Sequence, residues 1–145
     1  MTTTPMTDEL TLKIDQTVKI KAPLEVSFSS LLEQLGPRFE TPEGQSLSMK
    51  LEPWPGGRGF RDLGDNNGHL WGHVPVFKNP SLLEITGPMF MSYPAISHVQ
   101  YQLTPDTNNT QLTMCYKVLG FIQDDHREGL SQGWGHMLEQ IRITA

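Results

Sequence analysis

From residue 47 to residue 118, the sequence alternates apolar and polar side chains in short segments that end at turn-forming residues. Such alternation is typical of strands with one buried face. The Gly-Asp-Asn-Asn-Gly stretch at 64–68 indicates a hairpin, because Gly and Asn tolerate positive φ. Six successive strands with short connections predict an antiparallel meander, since parallel strands need crossovers of about a dozen residues or more. The predicted strands are 47–52, 58–63, 69–77, 82–85 (or on to Phe90), 97–103 and 112–118.

A strand and a helix precede this meander. Residues 10–20 alternate with a polar interruption in the middle, which predicts one long strand or two short strands with a bulge. Residues 24–35 then carry apolar side chains at helical spacing. Pro23 is well placed to open a helix there, and Gly36 with Pro37 ends it. We expect this helix to bury one stripe against a sheet edge.

A second helix closes the sequence. Its apolar residues fall on one helical face, and Asp125 with Glu128 three residues later has the form of a capping box. Three glycines weaken this helix by about 1 kcal/mol each relative to Ala. We therefore expect tertiary packing to hold the helix, and the glycines to let its backbone approach the sheet. The apolar face is Leu130, Trp134, Met137, Leu138 and Ile141, and the glycines are Gly129, Gly133 and Gly135.

The order strand, helix, six strands, helix predicts an α+β domain in which the long C-terminal helix covers an antiparallel sheet. A chain of 145 residues fits a single domain of about 100–150 residues. We assign residues 10–145 to this domain and expect residues 1–9 to be a disordered tail.

Charge and cysteine content exclude several classes of protein. The net charge is −5, and the basic residues are scattered apart from Arg58 and Arg61. This distribution argues against nucleic acid and anionic membranes, both of which require clustered Lys and Arg. Cys115 is the sole cysteine, which rules out a scaffold held by intramolecular disulfides. Neither a signal peptide nor a membrane span is evident, so we expect a soluble cytoplasmic protein.

Several short motifs occur in order along the predicted elements. They are VKIKAP at 18–23, GRGFRD at 57–62, GHLWGHV at 68–74, PSLLEI at 80–85, GW at 133–134 and ML at 137–138. Together with the order of elements, they resemble the START-like (SRPBCC, Bet v 1-like) helix-grip superfamily, in particular the branch named after the activator of the heat-shock protein 90 ATPase. The resemblance implies a curved antiparallel sheet of six to seven strands wrapped around the C-terminal helix, with an apolar cavity between them. Members bind small hydrophobic molecules, act as cyclases, or serve as chaperone-interacting domains.

Aromatic and methionine side chains are concentrated in the predicted strands and in the last helix. Most of them suit a core, but Met fills irregular space, and Tyr or Trp joins an apolar body to a polar tip, as small-molecule sites require. We expect the hydroxyls of Tyr101 and Tyr116 to be polar contacts within the cavity. The predicted ligand-binding residues are Met49, Trp54, Phe60, Trp71, Met89, Val99, Tyr101, Met114, Tyr116, Trp134, Met137 and Leu138.

No metal or cofactor site is predicted. His69 and His73 lie on a predicted strand, where their Cα atoms are about 13 Å apart, too far to share one ion without a third ligand between them. Asp124 and Asp125 near His126 are better explained by the positive end of the helix dipole. No phosphate-binding, dinucleotide-binding or serine-nucleophile motif occurs.

Three other side chains are weighed as catalytic groups. Cys115 alternates with buried positions, which favours a thiol that faces away from the core. Arg58 could orient a ligand carboxylate or phenolate, although a charged outer strand face explains it better. Glu84 has no neighbouring carboxylate in the sequence to form an acid–base couple.

Three functions follow from these features. The first is binding of a small hydrophobic molecule between the sheet and the helix that carries Trp134. The second is a cyclase- or lyase-like enzyme in which Tyr101, Tyr116 or Arg58 polarises a carbonyl. The third is an interaction domain for a chaperone or regulator. Exposed strands also permit a homodimer.

Overall fold

A computed structural model describes residues 10–89 and 94–145. The predicted tail at 1–9 and the extension of one strand to Phe90 lie outside these residues. The elements in chain order are β1 (Thr11–Ile20), α1 (Leu24–Leu35), β2 (Met49–Leu51), β3 (Arg58–Gly64), β4 (Asn67–Lys78), β5 (Leu82–Gly87), β6 (Ala95–Asp106), β7 (Asn109–Gly120) and α2 (Asp124–Thr144).

The strands form one antiparallel sheet of seven strands in the order β1-β7-β6-β5-β4-β3-β2. The meander from β2 to β7 is continuous, and β1 pairs with β7 along its whole length, with Ile14 opposite Tyr116. Of the two predicted alternatives, β1 is therefore one long strand rather than two short strands with a bulge. The predicted α+β class, with a curved antiparallel sheet and a C-terminal helix, is confirmed.

The two faces of the sheet differ as the alternation predicts. Along β6, Val99, Tyr101 and Leu103 are buried, whereas His98 and Gln102 are partly or fully exposed. The buried face, together with the apolar stripes of both helices, forms one hydrophobic core. This arrangement removes most of the large apolar side chains from water, which is the main favourable term in folding.

The two helices contact each other near their C-terminal ends. The Ser30 hydroxyl on α1 donates a hydrogen bond of 2.8 Å to the carbonyl of Ile141 and lies 2.6 Å from the Thr144 hydroxyl. On the sheet side of α2, the Gln16 amide donates to the Ser131 carbonyl over 2.9 Å. The contacts of Ser30 are buried or half-buried and satisfy groups that packing would otherwise leave without water, whereas the bond from Gln16 is exposed.

The predicted capping box of α2 is wrong. The helix begins at Asp124, and its N-cap residue is Gln123, two residues before the predicted cap Asp125 and without a side-chain capping bond. Asp124 and Asp125 both lie in the first turn, where negative charge favours the positive end of the helix dipole. The ends of α1 at Pro23 and Gly36 agree with the sequence.

Within residues 10–89 and 94–145, neither helix combines the length and the apolar composition that a membrane-crossing helix requires.

Candidate functional site

A cleft of about 470 Å³ lies between α2 and the chain segment that follows α1. We call it the α2 cleft. It lies at one side of the covering helix, and its lining does not include the buried residues Tyr101, Met114 and Tyr116 of the sheet centre. From α2 the lining comprises His126, Gly129, Leu130, Gln132, Gly133, Trp134, His136 and Met137, and from other elements Phe39, Glu40, Thr41, Pro42, Glu43, Leu47 and Trp71.

The α2 wall of the cleft contains two glycines one helical turn apart, Gly129 and Gly133. A Cβ atom built on either residue would meet no other atom within 4 Å among the described residues. The expectation that these glycines bring the helix backbone close to the sheet is therefore wrong for both. Only Gly135 faces the sheet closely, because its Cβ would lie 3.7 Å from the Gln16 side chain on β1.

The opposite wall is a small hairpin over residues 39–47. The amide of Thr41 donates to the Gln45 carbonyl at 2.9 Å, and the amide of Leu47 donates to the Phe39 carbonyl at 3.2 Å. Gly44 closes the turn with a φ of 85°, a conformation that glycine adopts without steric cost. These bonds hold the side chains of Phe39 and Leu47 on the cleft side.

Aromatic rings form the base of the cleft. Trp71 on β4 meets Phe39 edge to face, with ring centroids 4.8 Å apart, and meets Trp134 on α2 at 6.5 Å. The ring of Trp134 in turn lies 4.9 Å from that of Tyr116 in the core. Such contacts between rings are worth about 0.5–1.5 kcal/mol each beyond burial. The base is therefore apolar and firmly held.

Two buried polar atoms beside the cleft lack a partner. They are Nε1 of Trp134 and Nε2 of His136, and neither has a hydrogen-bond partner among the described residues. A buried polar group without a partner costs about 1–3 kcal/mol. The indole N–H can only donate, whereas the histidine nitrogen donates or accepts according to its tautomer.

The predicted ligand-binding residues divide into three groups. Trp71, Trp134 and Met137 line the α2 cleft. Trp54 and Phe60 lie away from it, Trp54 with 53% of its surface exposed in the turn before β3, and Phe60 half-buried on β3. The others are buried in the core without lining the cleft, namely Met49, Met89, Val99, Tyr101, Met114, Tyr116 and Leu138.

The two tyrosines predicted as polar contacts have their hydroxyls inside the core. The hydroxyl of Tyr116 shares a hydrogen bond of 2.9 Å with Ser97, and that of Tyr101 donates to the sulfur of Met137 at 3.8 Å. Burial raises the pKa of Tyr101, and the neighbouring Tyr116 raises it further. A phenol in this environment stays protonated and contributes to packing.

Arg58 is held on the surface by Glu52. Its Nε and Nη2 atoms lie 2.9 and 3.0 Å from the two carboxylate oxygens, and its guanidinium lies 4.6 Å from the centroid of the Phe60 ring. The hydrogen bonds from Arg58 lower the pKa of Glu52 to about 2. Arg58 does not line the cleft, and this geometry agrees with a charged outer strand face.

Glu84 belongs to a polar network on the outer face of the sheet. Its carboxylate lies 3.1 Å from Nε2 of His98 and accepts a hydrogen bond of 3.0 Å from Gln100. Nδ1 of His98 is 2.6 Å from the Thr86 hydroxyl. Cross-strand pairing brings these residues together, which the linear sequence did not indicate. The network lies on the face opposite the core and outside the α2 cleft.

The remaining candidates lie apart from one another. Cys115 is half-buried opposite Asp15 of β1. Burial is the main cause that raises the pKa of its thiol, and the hydrogen bond to Asp15 raises the pKa further. His73 is exposed and His69 is half-buried on β4. No group of three or more His, Cys, Asp or Glu side chains in the described part of the chain is arranged to hold a metal ion.

The sequence interpretation missed the hairpin wall and the position of two glycines in the opposite wall of the cleft. Residues 39–47 contain only partial turn signals, so their position over α2 is not evident from the sequence. Gly129 and Gly133 are four positions apart, which places them on one helical face. That spacing is the sequence feature from which a helix face without side chains could have been predicted.

No protein-family model matches the chain, and no curated protein sequence matches it. Among solved structures, a protein from Rhizobium leguminosarum of uncharacterised function is similar with 15% identity and a TM-score of 0.71, over 92% of this chain and 93% of that one. The di-domain ARO/CYC protein StfQ of steffimycin biosynthesis has 10% identity and a TM-score of 0.69, over 99% of this chain and 53% of that one. Ara h 8.0201 has 10% identity and a TM-score of 0.65, over 92% and 96%.

Proposed function

We propose that this chain, which has the Bet v 1-like (SRPBCC) helix-grip fold, binds a small hydrophobic molecule in the α2 cleft. The observation that carries the proposal is the cleft itself, with its volume of about 470 Å³ and its base of aromatic rings. Small-molecule sites are usually concave, largely apolar and about 300–1,000 Å³ in volume. A ligand there would cover Phe39, Leu47 and Leu130.

The polar side chains of the lining, among them Thr41, Gln132 and His126, support one or two oriented contacts in an otherwise apolar site. Sites of this kind commonly use a few polar atoms to fix the orientation of a ligand. The ligand-binding residues that we propose are accordingly Trp71, Trp134 and Met137 from the predicted set, with Phe39, Leu47, Gly129, Gly133 and His136 added.

Binding is better supported than the cyclase- or lyase-like alternative. That alternative relied on Tyr101, Tyr116 or Arg58. The hydroxyls of the two tyrosines bond within the core, and Arg58 is bonded to Glu52 on the surface. A reaction in the α2 cleft would have to use other titratable groups, such as Glu40, His126 or His136. Similarity of fold alone does not choose between these functions.

Native mass spectrometry of the protein purified from its own source tests the proposal. We expect a co-purifying molecule of a few hundred daltons, or, if the protein is empty, saturable 1:1 binding of the uncharged dye Nile red. An empty protein that binds no Nile red, and no other apolar probe, would contradict the proposed function.

A further inference from the structure

The outer face of the sheet carries a carboxylate, an imidazole and a hydroxyl that are hydrogen-bonded in series. Oε1 of Glu84 lies 3.1 Å from Nε2 of His98, and Nδ1 of the same ring lies 2.6 Å from Oγ1 of Thr86. Gln100 holds the carboxylate from its other side, because its amide donates to Oε2 of Glu84 at 3.0 Å. The series lies outside the α2 cleft, so it is independent of the proposed function.

Strand pairing fixes these side chains in place. Thr86 of β5 is directly opposite His98 of β6, and Glu84 is directly opposite Gln100. Ile85, between Glu84 and Thr86, is buried, so its two neighbours point to the outer face. Both strands have a partner strand on each side, so the backbone that positions the series is itself hydrogen-bonded on both edges.

The order of the contacts assigns a direction to the hydrogen bonds. An ionised carboxylate can only accept, so Nε2 of His98 is the nitrogen that donates to Glu84. In the neutral ring Nδ1 is then the acceptor, and the Thr86 hydroxyl donates to it. A hydroxyl that donates to an imidazole, with the imidazole oriented by a carboxylate, is the arrangement that activates nucleophiles for acyl transfer.

The series is open to a small reagent on its exposed side. The His98 side chain is 42% exposed, whereas that of Glu84 is only 16% exposed. His73 of β4 is opposite Thr86, and Lys117 of β7 is opposite His98. The positive charge of Lys117 and the ring N–H of His73 both favour the negative oxygen that forms during acyl transfer. An open site of this kind suits a small ester with a good leaving group, since little of the substrate is enclosed.

We propose that Thr86 is the acyl-accepting nucleophile of a site on the outer face of the sheet, and that its substrate is a small activated ester. The Thr86 oxygen forms a bond to the ester carbonyl carbon while its proton passes to Nδ1 of His98. The bond from that carbon to the leaving oxygen then breaks, and the leaving group takes the bonding electrons and the proton from His98. Water, deprotonated in turn by His98, cleaves the acyl-threonine to a carboxylic acid and the free hydroxyl. Glu84 is a positioning residue, because it acts through the ring of His98.

The release of p-nitrophenol from p-nitrophenyl acetate tests the site. All variants carry Cys115→Ser, which removes the one thiol that could also react. We expect Thr86→Val and His98→Gln to slow the protein-dependent release by at least about tenfold. Thr86→Ser keeps a hydroxyl and should retain the release.

Thr113→Val is the matched control. Thr113 is also a half-buried threonine on the outer face, but its cross-strand partners are Thr17 and Gln102. This variant should change the release by less than about twofold. Peptide mass spectrometry of protein quenched in acid during the reaction should find the acetyl group on Thr86 and not on Thr113. Unchanged release from Thr86→Val, or an acetyl group on other residues only, would refute the site.

The ¹⁵N signals of the His98 ring test the positioning role of Glu84. We expect the ring proton on Nε2 in the unmodified protein. Glu84→Leu removes the acceptor, so it should raise the fraction of rings protonated on Nδ1 and slow the release of p-nitrophenol. A ring already protonated on Nδ1 in the unmodified protein would overturn the proposal, because the Thr86 hydroxyl would then accept rather than donate.

Discussion

Trp71 of β4 and Trp134 of α2 meet edge to face, with ring centroids 6.5 Å apart and ring planes at 68°. This contact joins the sheet to the covering helix at the base of the α2 cleft. Both tryptophans are buried, whereas the third, Trp54, is 53% exposed. The three tryptophans therefore report on two different environments, and only two of them can sense a molecule in the cleft.

The first prediction concerns tryptophan fluorescence. Replacing Trp54 by Phe should shift the emission to shorter wavelength and reduce quenching by acrylamide, because the exposed emitter is removed. The change in emission on adding Nile red should persist, since Trp71 and Trp134 remain. Loss of the ligand-dependent change in Trp54→Phe would mean that the probe binds elsewhere.

The second prediction concerns the buried hydrogen bond between Ser97 and Tyr116, whose hydroxyl oxygens are 2.9 Å apart. Tyr116→Phe should lower the free energy of unfolding by about 1–3 kcal/mol, because the Ser97 hydroxyl loses this partner in the core. Tyr101→Phe should cost less, since its hydroxyl makes only a 3.8 Å contact with sulfur.

Urea unfolding of Tyr116→Phe, Ser97→Ala and the double variant measures the coupling between the two hydroxyls. We expect a coupling energy of about 0.5–1.5 kcal/mol. A coupling near zero would show that the hydrogen bond contributes nothing to stability.

The third prediction concerns the close approach of β4 and β5. A Cβ atom on Gly87 would lie 2.4 Å from the Gly72 Cα atom and 2.4 Å from the Trp71 carbonyl oxygen, and backbone atoms cannot move aside easily. Gly87→Ala should therefore lower the free energy of unfolding by about 1–3 kcal/mol or more. It should also weaken ligand binding, because Trp71 would shift.

Gly59→Ala is the matched control for Gly87→Ala. Gly59 is also a buried strand glycine, but among the described residues its Cβ would meet only a Leu51 methyl carbon, at 3.7 Å. We expect a change in unfolding free energy within about 0.5 kcal/mol for this control. Equal destabilisation of both variants would contradict the role assigned to the close approach.

The fourth prediction concerns stability in acid. The folded pKa of Glu52, about 2, lies below its ordinary value of 4.5. The unfolded chain therefore binds a proton on Glu52 at a higher pH than the folded chain does. The resulting stabilisation of the folded state is present above pH 4.5 and is lost as the pH falls towards 2. The stability difference between the unmodified protein and Glu52→Gln should shrink over that range.

Urea unfolding between pH 3 and pH 7 measures this difference. Because Glu52 and Arg58 are solvent-accessible, salt should reduce the effect. Arg58→Met should remove it as well, since the hydrogen bonds from Arg58 lower the pKa of Glu52. A difference that stays constant down to pH 3 would contradict the assigned pKa shift.

Periodicity predicts most of this fold because each element repeats its own pattern. The alternation at 112–118 corresponds to the buried face of β7, and the helical spacing at 24–35 coincides with α1. The predicted capping box is wrong because the motif formed by Asp125 and Glu128 depends on backbone geometry, and the N-cap of α2 is Gln123, two residues before Asp125. Local patterns therefore predicted elements better than element ends.

The site was predicted less well because it depends on contacts between distant parts of the chain. Tyr101, Met114 and Tyr116 have the composition expected of a pocket, but tight packing uses them in the core. The cleft arises where the hairpin at 39–47 meets α2, a contact that no sequence period records. Trp71, Trp134 and Met137, predicted as ligand-binding residues because they are large apolar side chains, line the cleft at the contact between helix and sheet.

The indole N–H signals of the three tryptophans in a ¹H–¹⁵N spectrum, followed during titration with Nile red, test the central claim most directly. The α2 cleft predicts saturable shifts of the Trp134 and Trp71 signals, together with the Gly129 and Gly133 amides, and an unchanged Trp54 signal. Saturable binding that leaves Trp71, Trp134 and both glycine amides unmoved would contradict a ligand site in this cleft.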